Sequence, residues 1–452
     1  MEPLQDVLWR CKNALLLPCK VDKFRHYLMS NKFHSIVEVA QMLSLSQKTV
    51  RRHIASGKLK SVKVGGVYRI PVDALEEFIN LSSQQPEHFD LDGKVKNNNQ
   101  KKVSAGYRGT NGSDEVSWID IEDVWAEPTK SELTFVDLFS GAGGITKGFE
   151  MAGLKGICGL DWFPEAGKTY RRNFSHPFIE GDIKCNDKKR AFYETVRSEL
   201  NGRRLNIVAG GFPCQGFSMA GNRIIDDPRN SLYKELLDIV KALQPEFVVC
   251  ENVVGLRSML GGKVEQMILN DFEQAGYSIN VTVLRAADYS VPQKRDRVIF
   301  IGNRIGKANL HPKPLLQPSQ YVTTGEAIAD LMDKPDDPAF NHVATKHRPD
   351  MAQRMIALEA GKSLYKGYSD AWKKCAWDEP SCTIKENHGG VNVHPMLPRV
   401  LTAREMARLQ SFPDDFIFEG PKNKQLVQLG NAVPPLLAKA IGLAIRKSYN
   451  DL

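Results

Sequence analysis

The chain has 452 residues, 42% of them hydrophobic, enough for roughly two to four domains with ordinary cores. Its net charge of +8 is uneven: residues 1–70 hold 13 Lys/Arg against 4 Asp/Glu, so the rest sums to −1, and a basic block of that kind suits a polyanionic partner. Eight scattered cysteines with no CxxC pair argue against a disulfide framework or a metal site, the start is a poor signal peptide, and no run reaches the ~18–20 apolar residues of a membrane span; the reducing cytoplasm, among the nucleoid, is the expected location.

Residues 1–32 form an N-terminal extension, and 33–80 read as one small unit. SIVEVAQMLSL has Ile36, Val39, Ala40 and Leu43 on one helical face. Ser46 is a good N-cap for a second helix, SQKTVRRHIASG, closed by Gly57. KLKSVKVGGVYRIP alternates on both sides of Gly65-Gly66, which predicts a β-hairpin, and VDALEEFI predicts a last helix. Two helices and a basic hairpin resemble a winged helix-turn-helix of the excisionase/MerR-like type. In that arrangement Gln47, Lys48, Arg51 and Arg52 face the major groove, and Lys60, Lys63 and Arg69 meet phosphates. A small helical domain that docks another protein is the alternative. It is disfavoured because residues 46–69 carry seven Lys/Arg and no acid.

Residues 81–131 read as linker, with NNNQKK and GTNGS. Beyond them apolar strands alternate with helical stretches, as in an α/β sheet. Phe135 to Phe139 is a predicted buried strand, and Ser140-Gly141-Ala142-Gly143-Gly144 a turn that allows a ligand close to the backbone before a helix begins. ICGLDW ends a second strand in Asp161, a carboxylate placed to bind a ribose diol, with Trp162 as a stacking face. Asp182, in GDI, is a third acid. LNIVAGGFPCQGFS brings the strand Leu205 to Ala209 into a Gly-Gly turn, where Pro213 stiffens the backbone before Cys214. A thiol at a strand's carboxyl end, among turn residues, is a candidate nucleophile rather than a core residue. QPEFVVCENVVGL repeats the pattern, with the strand Phe247 to Cys250 and Glu251 expected at its end as a hydrogen-bond donor or general acid. In DYSVPQKRDRVIFIG, Gln293, Arg295 and Arg297 alternate before the strand Val298–Ile301 and are expected on one face.

FVDLFSGAGG, GGFPCQGFS, ENV, QKRDRVIFIG, LTAREMARLQSFPDDF and QLGNAVPPLLAKAIG stand in the order of the DNA cytosine-5 methyltransferase family, which the chain resembles over about residues 133–447. The resemblance implies a Rossmann-like, S-adenosylmethionine-dependent methyltransferase sheet with a smaller target-recognition domain. It divides the remaining chain into a catalytic domain (132–303), a target recognition region (304–375) and a C-terminal part that returns to the cofactor site (376–452). It implies Cys214 as nucleophile, Glu251 as partner of the base N3 and Arg297 as base-orienting arginine, with Arg295 and Gln293 grouped beside them. Phe139, the turn Ser140, Gly141, Ala142, Gly143 and Gly144, Asp161 and Trp162 would hold S-adenosyl-L-methionine, with Asp182, Ile183, Gly210, Pro213 and Leu232 around it. Asn431 and Val433 would close that site. The family often has Glu where Asp161 stands.

The implied partners are double-stranded DNA and a cognate restriction endonuclease or other defence-system protein. Two other readings compete: a DNA-binding transcriptional regulator whose methyltransferase is reduced or lost, and an RNA cytosine methyltransferase, since a branch of the family acts on tRNA. Intact Cys214, Glu251 and Arg297 argue against the first, and the basic N-terminal unit against the second.

Overall fold

The structure is a computed structural model. It describes residues 33–36, 39, 50–51, 53–54, 56–57, 59–64, 67–75, 77–78, 116–126, 128, 130–213, 231–365, 372–385 and 391–450. The chain divides into two units, Met1–Ala105 and Gly106–Leu452.

In the first unit, β2 (Val62–Val64) and β3 (Val67–Pro71) pair antiparallel as the alternation predicts. A strand absent from the sequence reading, β1 (Phe33–Ser35), pairs with the other edge of β3. Ile36, Val39, Val50, Leu59, Ile70 and Leu75 bury together as the core. Gly57 ends the second helical stretch with a φ of 72° and its N–H on Ile54 O, as a C-terminal glycine does. Ala40 and Leu43 lie outside the described residues.

The second unit is built on a seven-stranded sheet of order β10-β11-β9-β8-β5-β6-β7. Its parallel strands are β5 (Thr134–Leu138), β6 (Lys155–Asp161), β7 (Phe178–Glu180), β8 (Ile207–Gly210) and β9 (Phe247–Val253). Helices α2 (Gly144–Met151), α3 (Pro164–Asn173), α4 (Asn186–Leu200) and α5 (Ser231–Leu243) separate them, and α6 (Lys263–Gln274) follows β9. The strands are apolar runs because both faces are covered, as parallel sheets require. One face packs Val136, Leu138, Phe192, Val208, Leu236 and Phe272. The other packs Phe135, Ile145, Phe149, Ile207 and Val249 against Leu437, Ile441 and Ile445 of the last helix.

Two antiparallel strands, β10 (Ser278–Arg285) and β11 (Asp296–Asn303), close the far edge. Because β11 runs against its neighbours, its first residues lie at the carboxyl ends of the parallel strands.

The predicted linker ends earlier than expected. Residues 117–119 form β4 (Ser117–Ile119), which pairs in parallel with β12 (Leu310–Pro312). The short helix α1 (Glu122–Trp125) follows, and fully buried Ile121 joins the core of the sheet. The turn-rich composition of the preceding stretch concealed these apolar anchors.

Beyond the sheet lie α7 (Thr324–Ile328), α8 (Pro349–Ala357), α9 (Ala403–Leu409), α10 (Lys422–Asn431) and α11 (Pro435–Asn450). Ile328 and Leu331 share a core with Met406, Leu409 and Phe416, while Met355 and Leu364 pack with Val393 and Val400. The run Lys422–Asn450 is long and apolar enough to cross a membrane, but it is mostly buried within this fold.

Candidate active site

Five parallel carboxyl ends and the start of β11 place the predicted residues along one edge of the sheet. At the end of β5, Phe139 takes a φ of 55°, followed by Gly141 at 53° and Gly143 at 93°. A non-glycine residue in the left-handed region is held only when its surroundings over-determine it. Here Ser140 N–H donates to Leu160 O at 3.1 Å, and Gly143 N–H to Ser140 O at 2.8 Å. A methyl group on Gly141 would meet nothing within 4 Å, so the turn's backbone faces open space.

Asp161, at the end of β6, ties this turn to its own strand. Its carboxylate accepts from Gly141 N–H and Phe163 N–H, each at 2.8 Å. Burial pushes the carboxyl above its ordinary range, and these N–H groups act in the opposite direction. Trp162 beside it is 70% exposed, its indole meeting the Phe163 ring at 6.3 Å between centroids. Gly181 N–H donates to Asp161 O at 2.9 Å, which brings exposed Asp182 and buried Ile183 to the same edge. Phe139 and Leu232 both rest on the core beneath β8. Open glycine backbone, a carboxylate at the end of the second strand and an exposed indole fit a nucleoside-bearing ligand such as S-adenosylmethionine.

The C-terminal segment closes on that turn. A methyl group on Gly144 would stand 2.2 Å from Val433 O, and one on Gly148 would stand 2.3 Å from Pro435 O, so both glycines are required by contact. Val433 is buried and Asn431 exposed.

The second half of the site is built on β9 and β11. Glu251 lies within β9, which continues to Val253, rather than just past the strand's end as expected. It is registered opposite Ile299, and Arg297 opposite Val253, so the two side chains are diagonal neighbours on one face. Arg297 Nε lies 2.7 Å from Glu251 Oε1, with the side chains only 12% and 13% exposed. Glu251 also reaches the β8 loop, since a methyl group on Gly211 would be 3.0 Å from its Oε2. Asn252 Nδ2 donates to Phe212 O at 2.9 Å and fixes the same loop. Phe212 is buried against Tyr233, and Pro213 is exposed. Cys214 follows directly in the chain and lies outside the described residues.

Gln293 and Arg295 do not share this face, a correction to the alternation argument. Gln293 is fully buried; its Nε2 donates to Leu409 O and Gln410 Oε1, and its Oε1 accepts from Ile384 N–H. Arg295, 2% exposed, donates to Ile384 O at 2.8 Å, Ala432 O at 2.9 Å and Gly430 O at 3.3 Å. Gln410 completes the knot by donating to Leu429 O at 2.6 Å. The alternation rule fails here because both residues precede the first residue of β11, in a loop whose backbone pairs with Ser381. These side chains bind the segment before Arg297 to the segment that covers Gly144. No sequence signal beyond the polar residues themselves marked Gln410.

The family described as C-5 cytosine-specific DNA methylase matches residues 133–447. The chain belongs to that family. Among relatives of this cytosine methylase, the Type II methyltransferase M1.HphI of Haemophilus parahaemolyticus is 40% identical over 331 residues, covering 70% of this chain and 87% of the relative. M.DdeI of Desulfomicrobium norvegicum is 33% identical over 382 residues, with 71% and 90% covered. A prophage-encoded methyltransferase crystal structure from E. coli has a TM-score of 0.57 at 24% identity, covering 71% of this chain and all of that one, which shows the fold. A helix-turn-helix domain family matches residues 35–80.

In that N-terminal domain of the methylase, Arg51 and Arg69 are exposed. Lys60 is exposed too, but its Nζ lies 2.8 Å from Glu77 of the last helix, so its charge is already matched within the domain. Lys63 is on β2, and Gln47, Lys48 and Arg52 lie outside the described residues.

Proposed function

We propose that this methylase transfers a methyl group to C5 of a cytosine rotated out of duplex DNA, through a covalent bond between Cys214 and C6. The observation that supports the reading best is the Glu251–Arg297 pair, held by paired strands and touching the loop that leads into Cys214. Cytosine C5 is a poor nucleophile. Addition of the Cys214 thiolate to C6 makes C5 enamine-like. Glu251 hydrogen-bonds or protonates N3 and so draws electrons away from C6. Arg297 holds the ring, at O2. When bound, S-adenosylmethionine supplies the methyl group to C5. A base, with water the simplest choice, then removes the C5 proton and Cys214 leaves by elimination. The reaction needs a base outside the helical stack, at a cost of a few kcal/mol.

Phe139, Asp161, Trp162, Asp182, Ile183, Leu232, Asn431 and Val433 are the residues we assign to the cofactor, with Gly141 to Gly144 beneath it. Gly210 and Pro213 frame the loop between the two sites. Residues 304–375 carry the choice of target sequence. Arg51 and Arg69 are the helix-turn-helix residues we assign to DNA, together with Gln47, Lys48, Arg52 and Lys63, while Lys60 has to exchange Glu77 for a phosphate. A role as the cytoplasmic modification enzyme of a restriction-modification system, paired with an endonuclease, is the reading that the company of Type II relatives supports.

The test is trapping on DNA that carries 5-fluorocytosine at the target base, whose C5 fluorine cannot be removed as a proton. The wild-type protein is expected to form a stable covalent complex. Cys214→Ser should form none and still bind S-adenosylmethionine; normal turnover by this variant sinks the mechanism. Glu251→Gln should slow methylation by about a hundred- to ten-thousand-fold, the range for loss of a positioned acid.

A further inference from the structure

We propose that Cys375 and Cys382 are an oxidisable dithiol, closed to a disulfide by a hydroperoxide at the base of the target recognition region. Their sulfurs lie 3.5 Å apart, so bond formation at 2.03–2.05 Å needs a movement of about 1.5 Å. The two thiols differ in their surroundings. The Cys375 thiol hydrogen-bonds to Cys382 Sγ, the Lys373 charge acts on the same sulfur, and Asn392 Nδ2 donates to it at 2.8 Å; together they favour its thiolate against burial. Cys375 is 1% exposed, and its pKa is pushed up by its partner and by burial. Cys382, half-buried, is therefore the attacking group and Cys375 the resolving one. The other described cysteines offer a contrast. Cys158 and Cys250 are sealed in the sheet, where burial pushes both thiols up to about 12, and Cys185 is exposed.

The reaction balances in two steps. The Cys382 thiolate attacks one oxygen of hydrogen peroxide, the O–O bond breaks, and hydroxide leaves to become water with the thiol's proton. The Cys375 thiol then attacks the sulfenic sulfur, the S–S bond forms, and a second water leaves. Two thiols lose two hydrogens, and the peroxide is reduced to two waters.

The position gives the pair something to act on. Cys382 sits between Ser381, whose carbonyl accepts from Lys294 N–H at 2.8 Å, and Thr383, whose hydroxyl donates to Lys294 O at 2.6 Å. Ile384 N–H, two residues on, donates to Gln293. Cys375 N–H is bonded to Val393 O, on the strand-like stretch that packs against Met355 and Leu364. The disulfide would tie the strap that holds the arginine segment to the small core of the recognition region.

The tryptic peptide from Cys375 to Lys385 contains both thiols, which makes the test direct. The full-length protein is titrated with hydrogen peroxide, alkylated without reduction and mapped by mass spectrometry. The expected result is loss of two hydrogens from this peptide, restored by dithiothreitol, at exposures that leave Cys158 and Cys250 as thiols. Cys382→Ser should abolish it. Cys375→Ala should leave Cys382 as a sulfenic acid that dimedone labels, which keeps the test valid if the serine variant misfolds. The proposal is overturned if both thiols of the wild-type peptide remain alkylatable once the exposed Cys185 is oxidised. This readout is independent of methyl transfer, so it stands or falls apart from the mechanism proposed above.

Discussion

Glu251 and Arg297 show what a residue pair gains from being carried on strands. Removing one partner of so dry a pair leaves an uncompensated charge, a loss of about 3–5 kcal/mol. The site therefore holds its acid and its guanidinium together before any base arrives, on a frame that cannot drift. Gln410 does comparable work without touching either reacting site. Gln410→Leu strands the buried carbonyl of Leu429, at about 1–3 kcal/mol, and takes from Gln293 Nε2 one of its two acceptors, leaving Leu409 O. Because those bonds hold the segment that covers Gly144, the expected outcome is a several-fold rise in KM for S-adenosylmethionine with KM for DNA nearly unchanged. Steady-state kinetics with each substrate varied in turn will check it.

At the level of elements, the decisive contact is between α2 and the start of α11. Gly144→Ala places a methyl carbon 2.2 Å from Val433 O, with no flexible side chain to yield. The cost of such overpacking is about 1–3 kcal/mol or more, and it falls on the segment that covers the glycine turn. Reduced S-adenosylmethionine affinity and a lower unfolding midpoint are expected, measurable by calorimetry and denaturant titration. The sequence announced this α2 turn clearly, because a strand, a glycine turn and a helix follow one another between Thr134 and Met151. It announced the end of β8 at Gly210 equally well, through the Gly-Gly-Phe-Pro punctuation. It was silent on what depends on distant partners. Gln293 and Arg295 read as a polar alternation and proved to be buried ties to residues more than a hundred positions away. Cys375 and Cys382, seven positions apart, match no spacing rule, and only the fold brings their sulfurs together. β1 is three residues long, too short for any periodicity, and β4 hides at the end of a polar stretch.

For the molecule as a whole, the polar network under the glycine turn sets a dependence on pH. Asp137 is fully buried within β5, and its Oδ2 accepts from Thr146 Oγ1 at 2.7 Å. Thr146 continues to Tyr170 at 3.0 Å, and Tyr170 to His176 at 2.8 Å. Burial raises the Asp137 carboxyl from 3.8 to about 7 and lowers His176 from 6.5 to about 4. For Asp137 the fold prefers the proton, so its contribution is complete below about pH 4 and declines as pH rises to about 7, without further loss above that. At about 1.4 kcal/mol per unit the decline is at most about 4 kcal/mol. Asp137→Asn should flatten it, seen as similar unfolding free energies at pH 5 and pH 7.5. For His176 the sign is reversed: stability falls as pH drops from about 6.5 to about 4.

The docking of Val433 and Pro435 on Gly144 and Gly148 also has a temporal side. While the chain is being made, the glycine turn leaves the ribosome early and its cover only after most of the catalytic sequence has emerged. A nascent or prematurely terminated product lacks Leu437, Ile441 and Ile445, which cover one face of the sheet, as well as the cover over Gly144. On the proposed assignment of the cofactor to this turn, methyl transfer becomes available only once translation has passed α11.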